Sequence, residues 1–220
     1  SATTSLPSLV SPGSSSNAAA ASMSSANSSA GAPARCGPVG NADGIGWLWK
    51  RVGDFIGLLQ QKNLLNQLSQ SDLITLRDKV EKSLQRLHKS HANENLVVNS
   101  SKETWMDTLS RDGARIEIQA LQLATYKTAR LLNDLTLTHS EKYSLHEKQL
   151  RQVVRSKFFN GRQLADGYLN ETQDFTIRPN IFIAYYVYPD LLSTGEWEAV
   201  FDNALQHLWL SWGGLATLDI

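Results

Sequence analysis

The sequence predicts an all-α domain preceded by a disordered Ser/Ala-rich segment. Three observations carry this. Apolar residues after position 45 recur mostly at steps of three and four, the period of an amphipathic helix. Alternation of apolar and polar residues, the mark of a half-buried strand, never holds for more than a few positions. Residues 1–45 are mostly Ser, Ala, Asn, Gly and Pro, with Arg35 and Asp43 the only charges. Such a segment has too little apolar surface to offset the entropy of ordering it, so it reads as a flexible linker or tail ending near Gly40–Gly44.

The helices follow in order. Trp47, Trp49, Val52, Phe55, Ile56 and Leu59 place a first helix from Gly46 to about Lys62. Ser71-Asp72 is a capping pair for a second, whose stripe is Leu73, Leu76, Val80, Leu84 and Leu87. Ala92 to Asn95 reads as a turn and Leu96-Val97-Val98 as a short extended piece. Ile118, Leu121, Thr125, Thr128 and Leu132 form one face of a third helix. Leu123, Tyr126 and Leu131 broaden that face, so this helix is buried on more than one side. Thr138 and Ser140 bracket the start of a fourth, with Tyr143, Leu150, Val153, Val154 and Phe158 facing inward. Phe159-Asn160-Gly161 closes it, and 164–176 reads as a polar loop. Pro179 opens a fifth helix over Ile181 to Val187, and Pro189 ends it. Ser193 to Glu196 caps a sixth, with Trp197, Phe201, Leu205, Leu208 and Trp212 as an apolar stripe and Gly213-Gly214 as its stop.

The charges balance, 21 basic against 21 acidic among 220 residues. Nothing favours nucleic acid or an anionic membrane as partner. One cysteine, Cys36, forbids an internal disulfide and fits a cytoplasmic location. No apolar run approaches the ~20 residues that span a bilayer, and the N-terminus lacks the pattern of a secretory signal. The sequons at Asn27, Asn99 and Asn170 read as accidents of a Ser- and Asn-rich chain. His88 and His91 stand three apart but lack a third ligand at metal spacing, and read as helix-end histidines. No metal is expected. The chain starts at Ser1 and stops soon after an aromatic-rich helix, and reads as an internal piece of a longer protein.

One stretch concentrates chemistry: Glu103-Thr104-Trp105-Met106-Asp107, then Arg111 through Leu121. A polar loop with a Trp-Met pair passes through an Arg-Asp-Gly turn into a helix, and loops of this composition between rigid elements are where sites are built. Taken with Thr176-Ile177-Arg178-Pro179-Asn180, with Trp209 and Trp212-Gly213-Gly214-Leu215, and with Gly44-Ile45-Gly46-Trp47-Leu48, it resembles the glucosidase domain of glycogen debranching enzymes, the amylo-α-1,6-glucosidases. The resemblance covers residues 46–220 or so. It implies part of an (α/α)6 toroid and inverting hydrolysis of α-1,6-linked glucose at branch points of an α-glucan or branched malto-oligosaccharide. It implies no cofactor.

Inverting hydrolysis needs a carboxylic acid to protonate the leaving oxygen and a carboxylate to activate water, roughly 6.5–9.5 Å apart. The resemblance makes Asp107 the acid; Trp105 and Met106 are expected to make its surroundings apolar and so help it keep its proton. Asp107 could instead be a turn residue or helix cap. Arg111, Asp112, Arg115, Glu117 and Gln119 could bond sugar hydroxyls, or form a structural ion-pair network. Arg178 and Asn180 are expected in the substrate cleft. Trp105 could stack on a glucose ring or pack in the core. The family's base stands in a Tyr-His-x-Gly block, which does not follow Gly213-Gly214, so this chain alone is expected to be inactive. Two other readings stay open: a non-catalytic helical interaction module, and a toroid glycosidase of another linkage, glucoamylase- or trehalase-like.

Overall fold

The computed structural model describes residues 42–93 and 95–218. Helix α1 (Gly44–Gln61) is followed by a 3-10 turn (Leu65–Gln67), α2 (Gln70–His91), strands β1 (Ala92–Asn93), β2 (Leu96–Asn99) and β3 (Gly113–Arg115), and α3 (Ile116–Leu135). Then come α4 (Lys142–Phe158), β4 (Gly167–Leu169), β5 (Thr172–Asp174), α5 (Asn180–Val187), a second 3-10 turn (Pro189–Leu191) and α6 (Thr194–Leu208). Most of the segment expected to be disordered, 1–45, lies outside the described residues. Its last residues, however, are built in. Ala42 and Asp43 are buried, α1 starts at Gly44, and the Ala42 N–H donates to the Glu103 carbonyl at 2.8 Å.

Helix α3 is the axis of the unit, packed against α1, α2, α4 and α5. It is buried almost all round, including polar Glu117, Gln119, Gln122, Thr125, Thr128 and Asn133. Burial on this scale requires internal partners for the hydroxyls. Thr125 donates to the Leu121 carbonyl and Thr128 to the Trp49 carbonyl across the α1 contact. Helix α1 comes that close because Gly46 and Gly53 face α3. A Cβ on Gly46 would stand 2.5 Å from Leu121, and one on Gly53 2.4 Å from the Thr128 hydroxyl.

The chain is not all-α, and the expected purely helical portion of an (α/α)6 toroid is corrected accordingly. Strands β1 to β5 form one five-stranded antiparallel sheet in sequence order. The extended piece at Leu96–Val98 is its second strand. The supposed polar loop contains the β4–β5 hairpin, turned by Asn170 and Glu171, both at positive φ (48° and 62°). Two left-handed residues match the right-handed twist of a two-residue hairpin. Strands of two to four residues are too short to show an alternation, which is why the period missed them. Gly113 opens β3 at φ +97°, where a Cβ would also meet the Tyr168 carbonyl at 2.8 Å. The Arg-Asp-Gly turn therefore requires its glycine.

Two helix boundaries also shift. Helix α2 is capped by Ser69, not Ser71; Asp72 is the third residue of a reciprocal capping box with Ser69. Helix α6 ends at Leu208, and Gly213-Gly214 lie in a tight return that pairs Trp209 with Leu215. The aromatic stripe divides there: Trp197 is buried, whereas Trp212 is 77% exposed.

Helix α6 is pinned at its start. Glu196 bonds back to Ser193 and takes a bidentate pair from Arg155, at 2.7 and 3.0 Å. The Arg155 guanidinium and the Ser193 N–H hold its carboxyl at about 2. A carboxyl depressed from 4.5 contributes stability above its ordinary value and loses it as pH falls through 4.5 toward 2. Glu196→Gln is expected to cost about 0.5–1 kcal/mol at pH 7 and clearly less at pH 2, where about half of the carboxyls have taken up a proton. Urea melts of both proteins at the two pH values check this; equal costs at both would overturn it.

Candidate active site

The sheet builds the centre of the site. Pairing of Arg115 with Gly167, and of Gly167 with Asp174, sets the end of β3 beside the start of β4 and the end of β5. The Asp166 carbonyl accepts the Ile116 N–H at 3.1 Å, and its own N–H donates to the Asp174 carbonyl at 2.8 Å. Asp166 is thereby fixed under the first turn of α3, with its carboxylate among three arginines and an amide.

Arg111 is 1% exposed and reaches Asp166 through Nη2 at 2.9 Å and Nε at 3.1 Å. Its other edge holds Glu117 at 2.7 and 3.2 Å and donates to Thr104. Arg115 and Arg178 each bridge Asp166 and Asp174. Asn180, fully buried, donates to Asp166 at 2.6 Å. Arg111, Arg115 and Arg178 thus oppose Glu117, Asp166 and Asp174, three charges against three. Burial pushes the Glu117 carboxyl up in spite of Arg111. Burial also pushes Asp174 upward, but bonds from Thr176 and the Arg115 and Arg178 guanidiniums hold it below the ordinary carboxylate value. Gly167 makes room for this. A Cβ there would lie 2.1 Å from Arg115 Nη1.

The loop at 103–107 hangs from this network by Asn180. Trp105 Nε1 donates to Asn180 Oδ1 at 2.9 Å, and Asn180 Nδ2 also faces Met106 Sδ at 3.4 Å. Met106 is buried, Trp105 is 44% exposed and Asp107 is exposed. A second tether comes from the start of α1. The Asp43 carboxylate accepts the Trp105 backbone N–H, alongside the Ala42–Glu103 bond. Burial pushes Asp43 up, although the backbone N–H groups of Asp43, Trp105 and Gly44 bond to it.

Of the residues singled out by sequence, the fold gathers Arg111, Arg115, Glu117, Arg178 and Asn180 around Asp166, and attaches Trp105 through Asn180. Gln119 stands apart from that hub. It is fully buried and bonds both the N–H and the carbonyl of Val97, locking α3 to β2. Asp112 is exposed, and its carbonyl accepts from Arg115. Asp107 is exposed and lies outside the network; Met106 turns inward, so it gives Asp107 a position and not an apolar cover. Two acids of the arrangement carry no role in the sequence reading. Asp166 was legible only as a lone carboxylate between Leu164-Ala165 and Gly167, and Asp43 lay inside the segment read as linker. Among the described residues no three His, Cys, Asp or Glu side chains gather as metal ligands, and no helix is long and apolar enough to cross a membrane.

Chemically, the arrangement is a charge-balanced anchor beneath a loop that leaves Trp105 half exposed and Asp107 exposed. A model of the amylo-alpha-1,6-glucosidase family matches residues 35–220 of the chain. No curated protein matches it.

Proposed function

The chain belongs to the amylo-alpha-1,6-glucosidase family, and from that premise we propose that it carries the acid half of a glucosidase removing α-1,6-linked glucose from branch points of an α-glucan. The observation that supports this most is the anchoring of Trp105 and Met106 on Asn180, with Asp107 left exposed beside them. Asp107 protonates the departing glycosidic oxygen. Water attacks the opposite face of the sugar, so the product inverts to β-glucose. By the same resemblance, the carboxylate that activates this water stands in a Tyr-His-x-Gly block that the sequence does not contain. Among these 220 residues Asp107 alone is assigned a catalytic role.

Trp105, half exposed and held at its indole N–H, offers a ring face to a glucose unit. Asp112 is exposed on the turn that follows. Arg111 bonds Glu117 and Asp166, and Arg115 bonds Asp166 and Asp174, which favours a positioning role for Arg111, Arg115 and Glu117. We place the enzyme in the cytoplasm, where a chain with one cysteine needs no disulfide.

The test is the product. The enzyme that carries this chain should release β-glucose, read by proton NMR within the first minutes, from a phosphorylase-limit dextrin with single α-1,6-linked residues. Release of α-glucose would reject inversion. Release from α-1,4 chains with none from α-1,6 links would reject the linkage.

A further inference from the structure

Asp107 is exposed, so its place is set by the main chain that carries it. On one side that chain hangs from Asn180 at the start of α5, through the Trp105 indole and Met106 Sδ. Both contacts are made by side chains. A loop held at one point, through side chains that rotate, can still turn about that point. Fixing the direction of Asp107 takes a second anchor, on another element and on the backbone itself.

The start of α1 supplies it. Ala42 and Asp43 are 4% and 6% exposed, and Glu103 and Thr104, which they face, are as deeply buried. The Ala42 N–H donates to the Glu103 carbonyl at 2.8 Å. The Asp43 carboxylate takes the Trp105 backbone N–H together with those of Asp43 and Gly44. A carboxylate at the first turn of a helix meets free N–H groups and the positive end of the dipole. The local pair of bonds is what such a residue needs to start its helix. Ser69 and Ser193, which start α2 and α6, bond within their own first turns. Asp43 does more, since its third bond reaches the loop that carries Asp107.

Asp43 is itself held still. Its carbonyl accepts the Trp47 N–H at 3.0 Å, and Gly46 sets this turn of α1 directly against Leu121 of α3. The second anchor therefore stands on the α1–α3 contact, independently of the Asp166 network.

We propose that Asp43 is a positioning residue of the glucosidase: its carboxylate, set on the first turn of α1, holds the Trp105 main chain and thereby aims Asp107 at the glycosidic oxygen. The aim rests on the acid role proposed for Asp107; the hold on Trp105 does not. Asp43 acts through the loop backbone and not on the sugar, so it governs kcat and leaves KM alone.

The experiment has two readings. Rates on the limit dextrin are measured in the enzyme that carries this chain, and hydrogen exchange of the Trp105 amide is followed by NMR in the 220-residue chain. Asp43→Ala should lower kcat about 10–100-fold with KM within about twofold. Its Trp105 amide should exchange about tenfold faster or more. Asp43→Asn keeps an oxygen for the Trp105 N–H and should regain most of both losses. Ser69→Ala removes a cap of the same kind from α2 and should leave kcat and Trp105 exchange unchanged. Unchanged exchange in Asp43→Ala overturns the proposal. So does a loss confined to KM, an Asn variant no better than the Ala variant, or an equal fall of kcat in Ser69→Ala. If the unaltered enzyme splits no α-1,6 link, the glucosidase reading falls, and the exchange rates alone decide whether Asp43 holds the loop.

Discussion

Asp166→Ala lowers the stability of the folded unit by about 3–5 kcal/mol, the cost of breaking a buried ion pair from one side. Asp166 accepts from Arg111, Arg115, Arg178 and Asn180, and its side chain is 2% exposed. Its removal leaves three arginines facing Glu117 and Asp174, one positive charge in excess where water is excluded. Arg111 suffers most, since it is buried, its Nε loses its acceptor and its Nη2 keeps only Glu117 at 3.2 Å. Such a loss is a large part of the 5–15 kcal/mol that holds a typical domain together. Asp190→Ala is the control. Asp190 pairs with Lys127 at 2.8 Å, but both side chains are more than half exposed, and removing such a pair costs about 0–1 kcal/mol. Urea melts followed by circular dichroism separate the two. A loss under 1 kcal/mol for Asp166→Ala would mean that the network is hydrated and is not the anchor described above.

What the sequence showed of this arrangement divides by range. The stripe of α2 and the caps of α6 were legible because helix spacing and capping act within a few residues, where the chain reports on itself. Asp166 was not legible, because its partners Arg111 and Arg115 are brought to it by the β3–β4 pairing from segments some fifty residues away. The three-residue strands that make those pairings carry no period of their own. Glu117 and Gln119 were recognised as unusual, a carboxylate and an amide opening an apolar helix, but the same residues serve a sugar cleft or a buried network equally well in one dimension. Burial decided it. With no exposed atoms to offer, Gln119 spends its amide on Val97 and Glu117 on Arg111. Trp105 kept both of its possible uses, since its indole N–H is tied to Asn180 while much of its ring faces solvent.

The opposite behaviour is expected of Asp107. Asp107→Asn in the enzyme that carries this chain should lower hydrolysis of α-1,6 links by about 10²–10⁴, the usual worth of a positioned proton donor. The melt should stay within about 0.5 kcal/mol, because the residue is exposed and belongs to no buried pair. The substrate identifies the role. α-Glucosyl fluoride leaves as a weakly basic anion and needs little protonation, so its hydrolysis should fall far less in Asp107→Asn than that of the dextrin. If both substrates lose rate equally, Asp107 binds or orients sugar and is not the acid. If neither does, the loop's resemblance to a glucosidase reflects ancestry without the chemistry. Asn180→Leu completes the argument from the other side. It removes the bond to Trp105 Nε1 and one of the donors to Asp166 while keeping most of the volume. Misplacing a catalytic group by about 1 Å can cost 10²-fold, so the variant should lose rate on both substrates together, with Trp105 fluorescence shifting toward that of a solvated indole. A variant that keeps full rate would show that the loop holds its position without Asn180, and that the Asp43 and Ala42 tethers suffice.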